Sequence, residues 1–370
     1  MTGRGLLSAL LLYPLSRLYG LGVGIRNLMF DKGLLPQHEF DIPVIVVGNL
    51  TVGGAGKTPH TEYIINALSS DYRIGMLSRG YRRQTKGFVL ASRKSRPEDI
   101  GDEPYQIYRK FENRGIMVAV CEKRVDGIRK MLELNPSLNL IVLDDAFQHR
   151  YVKPRISVLL TEHVRPVYND RLLPLGRLRE PVKSMDRADI VVLTKCPEDM
   201  KPVDYAIFNK NFDLFPYQSL LFSRYRYLPL VPLFPELHNN EPAPRLGNLS
   251  KANTILAVAG VANPRPFIRY LRVFGAKVKL MIFEDHHNFS RADMEAIQRK
   301  FASLKSEDKL IITTEKDAVR LCNNPYFPPD LRACSYYVPI SVEFVPYGGQ
   351  TLASVLKQKL NNLSFASSTC

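Results

Sequence analysis

The chain has 370 residues, 45% of them apolar and 24% charged, which excludes a disulfide-stabilised miniprotein, a wholly disordered chain and a multispan membrane protein and favours two domains. Its 51 Lys and Arg against 36 Asp and Glu give a net charge of +15, which favours a phosphate-rich partner: a nucleotide, a nucleic acid or an anionic membrane. Five widely spaced cysteines, an odd number without Cys/His ligand spacing, argue for reduced thiols and against a structural zinc site.

Residues 1–30 are predicted to form an N-terminal helix that is broken or kinked at Pro14. Its apolar stretch contains Arg17 and is flanked by Arg4 and Arg26, which suits neither a spanning helix nor a cleaved signal peptide. We expect this helix to lie in the membrane interface, with leucines toward the lipid and arginines among lipid phosphates. A helix packed on the protein's own core is the alternative.

Short apolar strands and amphipathic helices alternate in the rest of the chain, a pattern typical of an α/β fold with parallel sheets covered on both faces. Between residues 217 and 250 the sequence becomes proline-rich and irregular, which indicates a linker. We therefore predict a domain with a parallel sheet over residues 31–216 and a second, smaller α/β/α domain over residues 251–365. The predicted strands are Ile42–Val47, Arg73–Leu77, Phe88–Ala91, Ile116–Val120, Leu138–Leu143, Ile156–Leu160, Ile190–Leu193, Thr254–Ala259, Val278–Phe283, Lys309–Thr313 and Tyr336–Phe344.

The strongest chemical signal is a glycine-rich loop that follows the first predicted strand and precedes a predicted helix. Its sequence, TVGGAGKT, is close to the P-loop pattern GxxxxGK[ST], in which backbone N–H groups surround phosphates, Lys57 reaches the β- and γ-phosphates and the Thr58 hydroxyl holds Mg²⁺. A simple glycine turn is the alternative. The loop predicts that the sheet of the first domain is of the P-loop NTPase type. The predicted nucleotide-binding residues are Thr51, Val52, Gly53, Gly54, Ala55, Gly56, Lys57 and Thr58.

Two adjacent carboxylates, Asp144 and Asp145, end the buried strand LIVL. Ligands bind at the carboxyl edge of such sheets, and a P-loop needs a carboxylate there to hold the metal's water shell. Without a cation these acids would repel a phosphate. We therefore predict that Thr58, Asp144 and Asp145 bind Mg²⁺.

Eight short motifs together resemble the tetraacyldisaccharide 4'-kinase family, the lipid A 4'-kinases. The resemblance implies transfer of the γ-phosphate of ATP to the 4'-hydroxyl of a tetraacylated glucosamine disaccharide 1-phosphate, at the cytoplasmic face of the inner membrane. It implies an acylated disaccharide lipid and the membrane surface as partners, with no nucleic acid and no obligate protein partner. The motifs are GNLTVGGAGKTP (48–59), SRGY (78–81), GDEP (101–104), DDAFQH (144–149), LREP (178–181), GVANP (260–264), DHH (285–287) and TEKDAV (314–319).

The same resemblance suggests roles for residues outside the P-loop. Asp102, in GDEP, is expected to accept the proton of the attacking hydroxyl or to orient that group, although a helix N-cap is a competing role. His286 is expected to pair with Asp102 across an interdomain cleft that closes over ATP and lipid. Arg179, and less so Arg177, is expected to neutralise charge on the transferred phosphoryl group.

Other groups have less specific predictions. Gln148 and His149 are expected to orient the acid pair or the acceptor, and Lys316 and Asp317 to form a structural ion pair. A basic cluster comprises Arg79, Arg82, Arg83 and Lys86. It is expected to meet the 1-phosphate of the substrate or the membrane, with a solvated face as the alternative.

Two other function classes stay open at this point. A P-loop GTPase switch or maturation factor is favoured by Thr194-Lys195, which is similar to a guanine-reading [NT]KxD element, but Pro197 replaces its carboxylate. A P-loop nucleic-acid motor explains the charge of +15 but not the apolar N-terminus.

Overall fold

The computed structural model describes residues 3–238, 242–306, 308–345 and 347–367. The chain divides into two compact units, and neither is continuous in sequence. The first unit is formed by the chain up to Lys94, by Ile107–Tyr225 and by the chain from Val342 onward. The second is formed by Ser95–Gln106 and Arg226–Ser341.

The described residues contain the following strands and helices. The strands are β1 (Val44–Asn49), β2 (Ile74–Ser78), β3 (Val89–Leu90), β4 (Met117–Val120), β5 (Leu140–Asp144), β6 (Ile156–Glu162), β7 (Ile190–Thr194), β8 (Ser219–Tyr227), β9 (Val231–Pro232), β10 (Thr254–Ala259), β11 (Lys277–Ile282), β12 (Lys309–Thr314), β13 (Ser335–Val338) and β14 (Ile340–Phe344). The α-helices are α1 (Gly3–Asp31), α2 (Lys57–Leu68), α3 (Pro97–Ile100), α4 (Asp102–Phe111), α5 (Arg124–Leu134), α6 (Pro202–Phe212), α7 (Arg265–Arg272), α8 (Arg291–Ala302), α9 (Glu315–Leu321), α10 (Pro329–Arg332) and α11 (Leu352–Ser367).

Two sheets organise the units, and the predicted fold class is confirmed. Within the described residues, nine strands form one sheet in the order β14-β8-β7-β6-β1-β5-β2-β4-β3, and five form another in the order β11-β10-β12-β13-β9. The pairs β1–β5, β1–β6, β6–β7 and β7–β8 are parallel, whereas the short edge strand β3 is antiparallel to β4. In the second sheet β10 pairs in parallel with both β11 and β12.

Each central strand is buried on both faces. On β1, Val44 and Val46 join one apolar cluster while Ile45 and Val47 join another, because successive side chains of a strand point to opposite faces. Strand β10 alternates in the same way between two clusters of the second unit. This two-sided burial explains why both strands are continuous apolar runs.

The central position of β1 creates the edge on which the site is built. Strand β1 lies between β5 and β6, and Val47 pairs with Asp144. Because parallel strands end at the same edge of a sheet, the glycine-rich loop after β1 and the acid pair of β5 lie there together.

The structure corrects the predicted domain boundaries. The predicted linker over residues 217–250 contains β8, a strand of the nine-stranded sheet. The predicted single strand Tyr336–Phe344 is two strands, β13 and β14, which separate at Pro339 and join different sheets. Helix α11 packs in the apolar core of the first unit, and the chain from Val342 belongs to that unit instead of to the predicted second domain.

The N-terminal helix is unbroken at Pro14 and ends one residue later than predicted. Helix α1 continues through Pro14 to Asp31, and residues 1–2 of the predicted segment lie outside the described residues. None of the helices in the described part of the chain is both long and apolar enough to cross a bilayer.

Candidate functional site

The glycine-rich loop has the backbone conformation of a phosphate-binding loop. Helix α2 begins at Lys57, directly after Gly56, whose φ of 90° is unfavourable for other residues. A Cβ atom at Gly56 would lie 2.3 Å from the hydroxyl oxygen of Tyr225, so this position also lacks space for a side chain. The loop therefore delivers the N-terminus of α2, with its unpaired N–H groups and positive dipole end, to the edge of the sheet.

Side chains of the neighbouring strands hold two carbonyl groups of this loop. The Thr194 hydroxyl at the end of β7 donates to the carbonyl of Ala55 at 3.0 Å, and the Lys195 ammonium donates to the carbonyl of Gly54. Lys195 also pairs with Glu162 of β6. The dipeptide Thr194-Lys195 thus contacts the backbone of the phosphate loop.

A third carbonyl, that of Gly56, is held by His60, one turn into α2. Nδ1 of His60 lies 2.7 Å from this carbonyl oxygen, and Nε2 lies 2.8 Å from the Ser223 hydroxyl of β8. Because a carbonyl only accepts, the ring proton is on Nδ1 and Nε2 accepts from Ser223. Complete burial lowers the pKa of His60 to about 4, so the ring is neutral at physiological pH.

These three anchors fix which way the loop's peptide groups point. The C=O and N–H of a trans peptide unit point in opposite directions. Holding the carbonyls of Ala55 and Gly56 toward the protein therefore turns the N–H groups of Gly56 and Lys57 the other way, toward the open side of the loop. Such convergent N–H groups form an anion-binding concavity.

The acid pair lies beside this loop, as the strand order requires. Asp144 is buried and accepts a hydrogen bond of 3.0 Å from the Thr61 hydroxyl of α2. Asp145 has a φ of 46° and lies 3.6 Å from the Lys57 ammonium and 3.1 Å from the Arg179 guanidinium. Burial opposes ionisation of Asp145, but Lys57 and Arg179 outweigh it and hold the pKa of this carboxyl below its usual value.

The donor set at this edge fits Mg²⁺. Thr58 contributes a hydroxyl and Asp144 and Asp145 contribute carboxylates, all hard oxygen ligands. Among the described residues no three His, Cys, Asp or Glu side chains cluster as a self-sufficient metal site. Magnesium at phosphate sites commonly uses one or two carboxylates together with water and phosphate oxygens, so it does not need such a cluster.

Of the two arginines predicted to neutralise phosphoryl charge, Arg179 lies at the phosphate loop. Its guanidinium contacts Asp145 and the Asn49 carbonyl, each at 3.1 Å. Arg177 instead faces Glu162 and Asp170, at 3.8 and 3.5 Å. The geometry favours Arg179 as the arginine available to a bound phosphate.

The structure corrects one prediction about Asp102 and His286. Both residues lie in the second unit, because the start of α4 belongs to it, and they do not come from opposite sides of a domain boundary. His286 Nδ1 lies 3.1 Å from Asp102 Oδ2, so the pair is already in contact. His286 has a φ of 62° in the loop after β11, which aims its ring differently from that of His287; the latter contacts Asp293 at 3.0 Å.

Two cations of α9 surround this pair, and sequence reasoning missed their role. The Arg320 guanidinium donates hydrogen bonds to both carboxylate oxygens of Asp102. Lys316 Nζ lies 2.9 Å from His286 Nε2. Burial opposes ionisation of Asp102, but hydrogen bonds from His286 and Arg320 hold the pKa of this carboxyl well below its usual value. The available signal was the spacing of Lys316 and Arg320, which places i and i+4 side chains on one helix face.

The predicted ion pair between Lys316 and Asp317 is wrong. Lys316 contacts Asp285 and His286, whereas Asp317 is fully buried and accepts from the Gly260 N–H at 2.9 Å and from the Thr314 hydroxyl. The carboxylate of Asp317 therefore links the N-cap of α9, Thr314, to Gly260 at the end of β10.

The remaining predicted groups have separate environments. Gln148 donates to the Asn49 carbonyl at 2.8 Å, next to the phosphate loop. His149 accepts from the Arg124 backbone N–H at 3.3 Å, and burial together with Arg124 lowers its pKa to about 4. Within the basic cluster, Arg83 is committed to Glu122, at 2.5 Å. The three exposed members of that cluster are Arg79, Arg82 and Lys86.

Comparisons with known proteins identify relatives over nearly the whole chain. A family model described as tetraacyldisaccharide-1-P 4'-kinase matches residues 8–361. A protein of Bacteroides thetaiotaomicron named tetraacyldisaccharide 4'-kinase is 44% identical over 367 residues, covering 96% of this chain and 95% of its own length. A Parabacteroides distasonis protein of the same name is 48% identical over 336 residues, with 90% of each chain covered.

A solved structure agrees with these sequence matches. A crystal structure of the LpxK protein of Aquifex aeolicus in complex with ATP superposes with a TM-score of 0.71 and 29% sequence identity, covering 95% of this chain and 97% of that one. Nothing among these relatives supports a GTPase switch.

Proposed function

The chain belongs to the tetraacyldisaccharide-1-phosphate 4'-kinase family, and we propose that it transfers the γ-phosphate of ATP to the 4'-hydroxyl of a tetraacylated glucosamine disaccharide 1-phosphate, a step of lipid A synthesis. The observation that carries this proposal is the phosphate loop on β1 beside the acid pair of β5, in a chain whose match to the family spans residues 8–361.

The first unit binds and polarises the nucleotide. Backbone N–H groups at the start of α2 and the Lys57 ammonium bind the phosphates, and Arg179 neutralises charge that develops on the transferred group. Mg²⁺, held by Thr58, Asp144 and Asp145, would supply further charge neutralisation when bound. Lys57 and Arg179 each contact Asp145, which holds both cations beside the acid pair.

The second unit supplies the group that handles the acceptor's proton. Asp102 is kept ionised by Arg320 and is oriented by His286, so it can accept a hydrogen bond from the sugar hydroxyl and take its proton as the new P–O bond forms. Its low pKa makes it a weak base, which suits a transition state with little proton transfer before bond formation. Holding and orienting the hydroxyl is then as important as removing its proton.

An apolar face of α1 supports association with the surface of the inner membrane, at its cytoplasmic side. Leu18 and Leu21 are 66% and 61% exposed, and neighbouring side chains extend this face. A groove of about 670 Å³ runs between α1 and residues 170–182, lined by leucines and by Arg17, a composition suited to the acyl chains of a lipid. The exposed apolar residues of the face are Tyr13, Leu15, Leu18, Leu21, Ile25 and Leu28.

Replacing Leu18 and Leu21 by serine tests the membrane proposal. Each change removes apolar surface that would enter the bilayer, worth roughly 1.5–3 kcal/mol per side chain, so the double variant should bind anionic vesicles at least tenfold more weakly. Vesicle co-sedimentation at low and high salt measures this. Leu34→Ser, which removes an exposed leucine beyond α1, is the matched control. Unchanged binding of the double variant would contradict the proposal.

The proposed reaction is tested by offering labelled ATP and several acceptors to the purified full-length protein. We expect label on the detergent-dispersed disaccharide 1-phosphate and none on RNA, DNA or a disaccharide already phosphorylated at the 4' position. GTP-dependent release of phosphate to water, without transfer to the lipid, would favour the GTPase alternative and refute the proposal.

A further inference from the structure

A short segment, residues 170–181, joins the N-terminal helix to the phosphate loop; we call it the strap. It is held on itself by hydrogen bonds from Leu173 N–H to the Leu178 carbonyl and from Leu178 N–H to the Arg171 carbonyl, at 2.9 and 2.8 Å. A Cβ atom at Gly176 would lie 2.2 Å from the Arg171 carbonyl oxygen, so the turn requires glycine there. The strap is therefore a closed turn with defined backbone positions.

One side of the strap pairs with the beginning of the phosphate loop. The Arg179 N–H donates to the Leu50 carbonyl at 2.6 Å, and the Val52 N–H donates to the Arg177 carbonyl at 2.8 Å. Thr51 and Leu178 form an antiparallel bridge between these two bonds. The loop is thus paired, residue by residue, with the segment that carries Arg179.

The other side of the strap is held by α1. The Tyr19 hydroxyl donates to the Arg179 carbonyl at 2.8 Å, and the Ser16 hydroxyl donates to the Leu172 carbonyl at 2.9 Å. A Cβ atom at Gly20 would lie 2.8 Å from a Leu172 methyl group, so glycine at that position allows the close approach. Ser16 and Tyr19 lie on the helix face opposite the exposed leucines.

The peptide groups of Arg179 are consequently fixed from two directions. Its carbonyl receives Tyr19 and its N–H is bound to Leu50, while its guanidinium contacts Asp145. We infer that Tyr19 is a positioning residue for phosphoryl transfer. Through the strap, Tyr19 fixes the backbone of Arg179, from which the guanidinium reaches the transferred phosphate. The phosphate loop is paired with this same backbone. The helix proposed to engage the membrane is then also a support of the ATP site.

This inference rests on the proposed function for its kinetic consequences. A truncation of α1 cannot test it, because the truncation would remove membrane binding and the Tyr19 hydroxyl together. Tyr19→Phe keeps the ring and removes only the hydroxyl. Tyr326→Phe is the control, since Tyr326 is 53% exposed and lies outside α1, the strap and the phosphate loop.

Steady-state kinetics with ATP and the detergent-dispersed lipid give the first readout. Loss of one hydrogen bond that positions a charged group should lower kcat of Tyr19→Phe about three- to tenfold, with KM for the lipid and vesicle binding unchanged. Tyr326→Phe should match the wild type. In the Arg179→Ala background, Tyr19→Phe should lower kcat less than it does in the wild-type background, because part of its effect passes through the Arg179 guanidinium. An unchanged kcat, or equal losses in both backgrounds, would overturn the inference.

Hydrogen exchange gives a second readout that does not depend on the lipid reaction. The amides of Val52 and Arg179 should exchange about three- to tenfold faster in Tyr19→Phe than in the wild type or in Tyr326→Phe. Equal exchange in all three proteins would refute the positioning role, even if the wild type proved to phosphorylate a molecule other than the lipid. A wild-type protein inactive on the lipid, with exchange altered as expected, would instead refute only the proposed function.

Discussion

The contact between Asp102 and His286 predicts a strongly non-additive double mutant. Asp102→Asn keeps the shape of the side chain but removes the charge that receives the hydroxyl proton, and a general base contributes about 10²- to 10⁴-fold to the rate. His286 supplies one hydrogen bond of 3.1 Å to that charge. Such a bond is worth about 1.5–3 kcal/mol, so His286→Ala should lower kcat about 10- to 100-fold.

If His286 acts only through Asp102, the double variant should be little worse than Asp102→Asn alone. The assay is steady-state transfer of label to the lipid at saturating ATP, with KM for ATP measured in parallel and expected to change little. His287→Ala is the matched control, because His287 contacts a different carboxylate, Asp293, at a similar distance of 3.0 Å. Its kcat should stay within about threefold of the wild type.

Two results would refute this reasoning. Strictly multiplicative losses in the double variant would show that the two side chains act separately. A fall in melting temperature of Asp102→Asn without a fall in kcat would assign Asp102 to the structural role of a helix cap.

Two further predictions concern the other charged and buried groups. Arg320→Gln should raise the pKa of Asp102 toward its ordinary value, because a cation that favours the ionised carboxyl is removed. The acid side of the pH profile of kcat/KM should then move to higher pH, and an unshifted profile would contradict the role given to Arg320. The pKa of buried His60 falls from 6.5 to about 4 on folding. Burial of the neutral ring therefore adds to the free energy of unfolding above pH 6.5, and this contribution of about 3 kcal/mol is lost as the pH falls toward 4. Denaturant unfolding at pH 7.5 and 4.5 should show a smaller acid loss in His60→Phe than in the wild type or in the control Ser223→Ala, and an equal loss in all three would contradict the burial argument.

Local sequence patterns predicted the phosphate loop because every requirement lies within about 20 residues. A buried strand, a glycine-rich turn and a helix follow each other directly, and Gly56 has the positive φ that the turn needs. The acid pair was predicted for the same reason, since Asp144 ends an uninterrupted apolar strand. Only the neighbouring position of β1 and β5 had to be assumed, and the register Val47 to Asp144 confirms it.

Long-range pairing explains what the sequence did not reveal. Strand β8 pairs in parallel with β7. It lies next to a proline-rich stretch, and that composition led to the prediction of a linker there. Strand β14 continues the apolar pattern of β13, and nothing local shows that the chain changes sheets at Pro339. The same limit applies to Tyr19, His60 and Thr194, whose partners are backbone carbonyls that no side-chain pattern marks.

The chemistry assigned to the phosphate loop is tested most directly by measuring where the wild type places the new phosphate and how fast the Lys57→Ala protein forms the same product. Lys57 lies 3.6 Å from Asp145 at the start of α2, where its charge would stabilise the transferred group. Phosphorus NMR of the lipid product should show a new monoester at the 4' position with the wild type and at least a 10³-fold slower reaction with a folded Lys57→Ala protein. A phosphate at another position, or near-normal turnover of Lys57→Ala, would contradict the account.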